Sequence, residues 1–446
     1  MSKPHHDRNR RDGQRSHGSR SNDVPPIPEN LPQFPNATSI VLRPGTATPV
    51  VVGHPWIFSG AIAHIVPPVE GQPVEAGSPC AVFDQHGRYI GYGSFNPHSQ
   101  IAVRMLELGL GGLEPSALPE PAALVAHKLA SAADLRLQVG LPSGENTAWR
   151  LVNSEGDGLP GLTIDRYAQG AVVAVTTAAM WRWLPLIESQ LLEKHGCSWL
   201  LVRVPTDVHV SEQLIPGHQH SQGQVPQEVA VLHNGLRLRV DPSGGQKTGM
   251  YLDQRDNHRL VGQLAAGRFV LDAFSHAGGF GLHAARQGAK RVLCVDASQK
   301  AIDLAILHAE DNGLPQLTVQ CADAVHVLAH HAELPETEKP SLVIIDPPKF
   351  ATKAAALEQA IKKYTSVNAV AMRAVASGGL LLSCSCSGLV DRQAFLRMLA
   401  TAALQAGKVV QLLDFRGPAP DHPVAPAHAE GQYLKVALLR VTAREG

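Results

Sequence analysis

From about residue 269 onward the chain alternates short apolar runs with longer amphipathic stretches. "RFVLDAF", "RVLCVDA", "LTVQCADA", "SLVIIDPPKF" and "GLLLSCSCSG" are compact apolar runs closed by Asp, Gly, Pro or Ser. The intervening segments, such as "QKAIDLAILHAEDNG", place apolar residues at helical spacing, with Ser298 as an N-cap. Strands and helices in strict alternation predict a parallel, doubly wound α/β sheet over residues 235–446. The last two strands, "KVVQLLDF" and "QYLKVALLRV", have only a Pro-rich loop between them, so the spacing predicts an antiparallel ending.

The first half has a different rhythm. Residues 38–113 read as short strands broken by Gly and Pro, a small β-rich module, with "GHPWIFSGAI" packed on it. Residues 114–234 read as a central α+β segment: a helix over 121–138, strands at "RLVN", "GLTIDRY", "AVVAVTT" and "LLVRVP", and one amphipathic helix in "MWRWLPLIESQLLEKHG". "PGHQHSQGQVPQ" reads as a polar loop, whose His218 and His220 lack the thiols or carboxylates of a metal site, so no metal is expected. Residues 1–36 are polar and without periodicity, which predicts a disordered tail with a basic first half.

Composition narrows the class. At 446 residues the chain is too long for one ordinary core. No run approaches the about 20 apolar residues of a membrane span, and the polar start lacks the apolar region of a secretory signal. Six cysteines without a framework suggest reduced thiols and a cytoplasmic protein. Lys plus Arg and Asp plus Glu both number 39, so a nucleic-acid partner would have to be met by a local patch.

Ligands of open α/β sheets sit beyond the carboxyl ends of the strands. Here Asp272, Asp296, Asp323 and Asp346 fall at four successive strand ends, and Cys384 and Cys386 at the fifth. The first loop, "DAFSHAGGFG", opens on Asp272 and clusters Gly278, Gly279 and Gly281, which is not the phosphate-binding pattern of a dinucleotide site. A carboxylate suits a cationic ligand without phosphate, and S-adenosylmethionine has that character. Asp296 then serves the ribose, and Asp323 with Ala322 the adenine.

"QKTGMYLDQRDN", "DAFSHAGGFG", "VDAS", "IIDPPKF", "SCSGL" and "DHPV", in that order, resemble the RlmI-type bacterial 23S ribosomal RNA cytosine-C5 methyltransferases. "GHPWIFSGAI" and "IGYGSFNPHSQIAVRML" are similar to a PUA domain, an RNA-binding β-module. The resemblance runs from about residue 38 to the end. It implies three parts: a PUA-like domain, a central domain, and a Rossmann-like class I methyltransferase domain. By matching position it implies Asp272, Phe274, Gly278 and Gly279 in the cofactor loop. Gln246, Lys247, Thr248, Tyr251 and Asp253 fall in a lead-in over the cofactor, while Pro347, Pro348 and Lys349 border the target base. It also implies ribosomal RNA, naked or partly assembled, as the partner, with Arg88, Tyr89, Asn96 and Arg104 as RNA contacts on the β-module. The length permits a homodimer and nothing in the sequence compels one.

The same resemblance gives the cysteines a chemistry. C5 of cytosine is a poor nucleophile until a thiolate adds at C6, and covalent catalysis of that kind needs a reactive sulfur. The family pattern holds one cysteine within Ser-Cys-Ser-Gly-Leu, which matches Cys386 as nucleophile and leaves Cys384 as a small buried filler. Asp346 would hydrogen-bond the cytosine edge. Lys349 stands where many RNA cytosine-C5 methyltransferases carry a second, product-releasing cysteine, so no group for thiolate release is identified. Three alternatives stay open: methylation of an exocyclic amine or guanine N7 through the "DPPKF" loop, a non-catalytic RNA-binding protein, and an NAD-linked oxidoreductase.

Overall fold

The computed structural model describes residues 24–109, 118–244, 249–350 and 354–444. Six strands form the first sheet: β1 (Thr38–Leu42), β2 (Trp56–Phe58), β3 (Ile62–Val66), β4 (Ser78–Phe83), β5 (Tyr89–Phe95) and β6 (Ile101–Leu108), in the order β2-β6-β5-β4-β1-β3. A short helix, α1 (Thr48–Val51), follows β1. Residues 24–36 were expected to be disordered; instead they run along this sheet, where Ser39 Oγ donates to the Pro32 carbonyl at 3.0 Å and Phe34 bridges Ala37. The basic stretch before them lies outside the described residues.

Helix α2 (Pro121–Gln138) leads into a five-stranded sheet of β7 (Ala148–Asn153), β8 (Leu162–Tyr167), β9 (Gly170–Val175), β10 (Trp199–Arg203) and β11 (Gln219–Gln222). The segment expected as one helix is two, α3 (Ala178–Arg182) and α4 (Leu184–Glu193). Pro185 has no N–H to return to the Trp181 carbonyl, so the first helix ends at Trp183 and the second starts with its proline in the first turn. The expected polar loop contains β11, which pairs antiparallel with β10 from Leu200↔Gln222 to Arg203↔Gln219. An edge strand needs only its backbone paired, and a polar sequence hides that.

A hairpin of β12 (Val229–His233) and β13 (Leu236–Val240) turns at Asn234-Gly235 and packs on the last sheet. That sheet comprises β14 (Phe269–Ala273), β15 (Arg291–Asp296), β16 (Leu317–Cys321), β17 (Leu342–Ile345), β18 (Leu380–Ser385), β19 (Lys408–Arg416) and β20 (Lys435–Ala443). Its order is β16-β15-β14-β17-β18-β20-β19, with β20 antiparallel to both neighbours, as the missing final helix predicts. Helices α5 (Arg255–Ala265), α6 (Gly279–Arg286), α7 (Gln299–Asp311), α8 (Ala324–Glu333), α9 (Leu357–Ala374) and α10 (Arg392–Ala406) cover it. Both faces are buried: Val270, Val292 and Ile344 pack on one side, Leu271, Val295 and Ile345 on the other. Fully covered parallel strands read as unbroken apolar runs for that reason. The strand order reverses at β14, between β15 and β17, so the crevice beyond β14 and β17 is where a ligand site is expected.

Candidate active site

The loop after β14 is forced into an unusual path. Phe274 (φ 64°), His276 (φ 49°) and Gly278 (φ 81°) all adopt the left-handed region, which costs energy for the two residues bearing a Cβ. Gly278 caps α6, and Gly281 N–H donates to Asp272 Oδ2 at 2.8 Å. A Cβ on Gly281 would lie 2.2 Å from Cys294 Sγ, so the helix start can approach the sheet only with glycine there.

Asp272 is sealed from solvent, and its second carboxyl oxygen has no partner. Burial, helped by the nearby Asp346 and Asp296, pushes its pKa up to about 8 against the pull of the Gly281 amide. A buried, unpaired carboxyl oxygen beside a glycine turn fits a cationic ligand, and S-adenosylmethionine brings an ammonium and a sulfonium. Asp296, at the end of β15, accepts from the His276 and Ser298 amides at 2.8 and 2.9 Å, which fixes both its oxygens at the crevice. Ala322 N–H donates to the Asp296 carbonyl at 3.0 Å, holding the third strand end beside the second. Asp323 is exposed and caps α8 through the Val325 and His326 amides.

Tyr251 marks the middle of the crevice. It is half-buried, its ring meets His276 edge-on at 5.2 Å, and its pKa is pushed up to about 12 by burial first and then by Asp346, Asp253, Cys386 and Asp296. Those four groups come from different segments and converge on one phenol. Asp253 in turn accepts from the Tyr433 hydroxyl at 2.7 Å. Gln246, Lys247 and Thr248 lie outside the described residues.

The two cysteines differ. Cys384 is fully buried in β18, and burial holds its thiol well above the ordinary value, with Asp346 adding to the effect. Cys386 stands just beyond the strand end and is half-buried, on the crevice side within electrostatic reach of Tyr251 and Tyr364. Asp346 follows β17 and accepts from Gln254 Nε2 at 3.0 Å; Gln254 also accepts from Asn257 Nδ2 at 2.7 Å and hydrogen-bonds Cys384. Pro347 is buried, while Pro348 and Lys349 are exposed at the mouth. Phe350 is occupied by Tyr364 at 4.6 Å and by the Lys363 amine over its ring at 4.3 Å.

On the β-module, Arg88 stays largely exposed on an ion pair with Asp84, and Tyr89 packs on Phe83. Arg104 is not available as expected: its guanidinium reaches Glu155 at 3.5 Å and Glu212 at 3.2 Å and lies over Trp56. Asn96 is buried and donates to Glu212 at 3.1 Å. Both residues tie the β-module to the turns at Glu155 and Glu212, partners that the local sequence around Asn96 and Arg104 cannot disclose.

The sequence reading missed four features. Gln254 bridges Asp346 and Cys384. Lys435 opens β20 beside Ser387 and is almost wholly buried, a lysine interrupting the run "YLKVALL". Asp421 of the "DHPV" motif accepts from the Arg150 amide at 2.9 Å and from Arg255 at 2.8 Å, and its own carbonyl accepts from Arg136 at 2.7 Å. Three buried histidines, His233, His258 and His283, converge behind Gly279 with ring nitrogens within 4.8 Å of one another. His218 and His220 pack against Trp181, and His220 Nε2 lies 2.6 Å from Glu188.

Known proteins resemble this chain in sequence and in fold. A PUA-like domain family matches residues 40–108, and an S-adenosylmethionine-dependent methyltransferase family matches residues 219–434. Over 420 residues the chain is 35% identical to ribosomal RNA large subunit methyltransferase I of Alteromonas mediterranea, covering 91% of this chain and 99% of that protein. The protein of the same name from Aeromonas salmonicida is 36% identical over 404 residues, covering 90% and 98%. In fold the chain matches an S-adenosylmethionine-dependent methyltransferase of Streptococcus mutans with a TM-score of 0.73 over 90% of this chain and 99% of that one, at 18% identity. Identity and coverage of this extent lead to one conclusion: the chain belongs to the ribosomal RNA large subunit methyltransferase I family and is an S-adenosylmethionine-dependent methyltransferase.

Proposed function

We propose that this enzyme forms 5-methylcytosine in 23S ribosomal RNA in the cytoplasm, with Cys386 as the nucleophile. The observation that carries the reading is the meeting of Cys386, Asp346 and Tyr251 in one crevice, beside the loop that holds Asp272. The relatives' name supports large-subunit ribosomal RNA as the substrate. When bound, S-adenosylmethionine supplies an electrophilic methyl group.

The chain's own residues do the rest. Asp272, Phe274, Gly278, Gly279 and Asp296 hold the cofactor, with Ala322 and Asp323 at the adenine end and Tyr251 above it. Pro347, Pro348 and Lys349 border an unstacked cytosine, and Asp346 accepts a hydrogen bond from its exocyclic amine or a protonated N3. Cys386 Sγ bonds to C6, and the ring electrons move to C5, which then takes the methyl group. Loss of the C5 proton returns the electrons, the C6–S bond breaks, and the thiolate leaves. Cys384 is too deeply buried to ionise and packs the strand. The β-module offers RNA its exposed Arg88, not Arg104. Transfer to an amine through the "DPPKF" loop is less well supported, because Phe350 is engaged by Tyr364 and Lys363 and is not free to stack on a base.

The test uses tritiated S-adenosylmethionine and protein-free ribosomal RNA with wild type, Cys386→Ala and Cys384→Ala. Label at cytosine C5, absent from Cys386→Ala and kept in Cys384→Ala, is expected. Label on another base, or label surviving Cys386→Ala, would overturn the covalent reading.

A further inference from the structure

We infer that Lys435 is the partner of the Cys386 sulfur: it holds the thiolate before addition to the base and receives it again on departure. The inference rests on the assignment of Cys386 as nucleophile and supplies the release group that Lys349, in place of a second cysteine, leaves missing.

The placement is built into the sheet. Lys435 pairs with Ser385 across the β18–β20 ladder, one residue from Cys386. Its side chain is 3% exposed, and a lysine amine is rarely buried so far without a partner. Nζ donates to the Ser387 carbonyl at 2.5 Å and to the Tyr433 carbonyl at 2.7 Å. Two of the three donors of an ammonium are thus fixed, one on the carbonyl next to Cys386 and one on its own segment. Among the described residues no carboxylate lies within ion-pair distance of it, and Asp391 acts on it only from further away.

The charges around the amine fit this role. Burial is the largest influence and pulls its pKa down to about 8; Cys386 pulls back most strongly, ahead of Asp391, while Lys349 adds to the depression. An amine poised there exchanges a proton with a thiol whose ordinary pKa is about 8.5. The S–H bond breaks and an N–H bond forms, leaving thiolate beside ammonium. Sulfur then bonds to C6. Lys435 now carries the thiol's proton and has no lone pair for the C5 proton, which passes to water. When the C6–S bond breaks, its electrons return to a sulfur that faces a waiting cation. A purely structural lysine, bracing two carbonyls, would do none of this.

The discriminating readout is the pH dependence of Cys386 alkylation by iodoacetamide, followed by peptide mass spectrometry so that the other five cysteines do not interfere. In wild type the midpoint is expected at least one pH unit below the ordinary thiol value of about 8.5. Lys435→Met should restore that ordinary value, slow alkylation at pH 7 about tenfold, and lower kcat while S-adenosylmethionine affinity is kept. Lys435→Arg should keep the depressed midpoint, since the charge remains. An ordinary midpoint in wild type overturns the inference whether or not any variant folds, as does an unchanged profile in a folded Lys435→Met. If Cys386→Ala still methylates RNA while wild type shows the depressed midpoint, the nucleophile assignment fails and the Lys435 pairing stands.

Discussion

Arg255 Nη2 lies 2.8 Å from Asp421 Oδ2, although 166 residues separate them and both side chains are almost closed to solvent. The same carboxylate faces His422 at 3.0 Å and the Arg150 amide at 2.9 Å, so the "DHPV" loop, helix α5 and strand β7 meet on one acid. Burial works against its charge, but His422 and Arg255 together hold it well below the usual carboxylate range. Removing one partner of a buried pair strands the other, so Asp421→Ala should cost about 3–5 kcal/mol in a urea melt. Because the folded value is depressed, this contribution is complete above pH 4 and declines only as the pH falls further. A loss below about 1 kcal/mol would show that the acid is peripheral.

Gly281→Ala tests the cofactor loop. The new Cβ would sit 2.2 Å from Cys294 Sγ and 3.2 Å from Val292, at the amide that fixes Asp272. S-adenosylmethionine affinity by calorimetry should fall at least tenfold, about 1.4 kcal/mol. Adding Cys294→Ala removes the closest clash and should return part of the affinity. Equal affinities for wild type and Gly281→Ala would mean that the close approach is not required.

These two positions show what the sequence discloses. The strands of the last sheet were legible because burial on both faces leaves unbroken apolar runs, and the antiparallel β20 followed from a missing helix. Asp272 and Asp296 were legible because chain order alone puts strand ends on one rim. Arg104, Asp421 and Lys435 were not. Each owes its role to partners from other segments: Glu155 and Glu212, Arg255 and Arg150, and the Ser387 carbonyl. A charged residue inside an apolar stretch signals that such a partner exists without saying which. The edge strand β11 was missed for the opposite reason, since backbone pairing leaves no mark on its side chains.

Asp272→Asn should separate stability from binding. The carboxyl's folded pKa of about 8 exceeds the ordinary 3.8, so between these values the folded state holds a proton that the unfolded state has lost. Its presence therefore lowers stability as pH rises from 4 to 8. The substituted amide would carry no charge to bury, and the ligand-free variant should gain about 1–3 kcal/mol at pH 8 while losing cofactor affinity. In wild type, a cationic ligand favours the ionised form, so affinity should rise with pH up to about 8 and then level off. A pH-independent Kd in wild type would remove Asp272 from the site.

His233, His258 and His283 set a limit on the acid side. All three are buried, and His258 stacks on His283 with ring centres 5.1 Å apart. Both ring nitrogens of His233 and Nδ1 of His258 have no hydrogen-bond partner, while His283 Nδ1 lies 2.7 Å from the Gly279 carbonyl. Burial lowers each pKa, that of His283 to about 4, and neighbouring histidines, Arg255, Arg259 and Arg286 add to the depression for one or another of the three; only Asp421, Asp253 and backbone groups oppose it. Below the ordinary value of 6.5 the unfolded chain takes up protons that the folded cluster refuses, so stability falls from pH 6.5 down to about 4. His283 alone should account for about 2 kcal/mol between pH 7.5 and 5. Replacing His233 by Leu removes one titrating ring and fills the site with apolar atoms, and the variant should unfold at a higher urea concentration than wild type at pH 5 with little difference at pH 7.5. Parallel wild-type and His233→Leu stability curves across that interval would show that the cluster does not titrate.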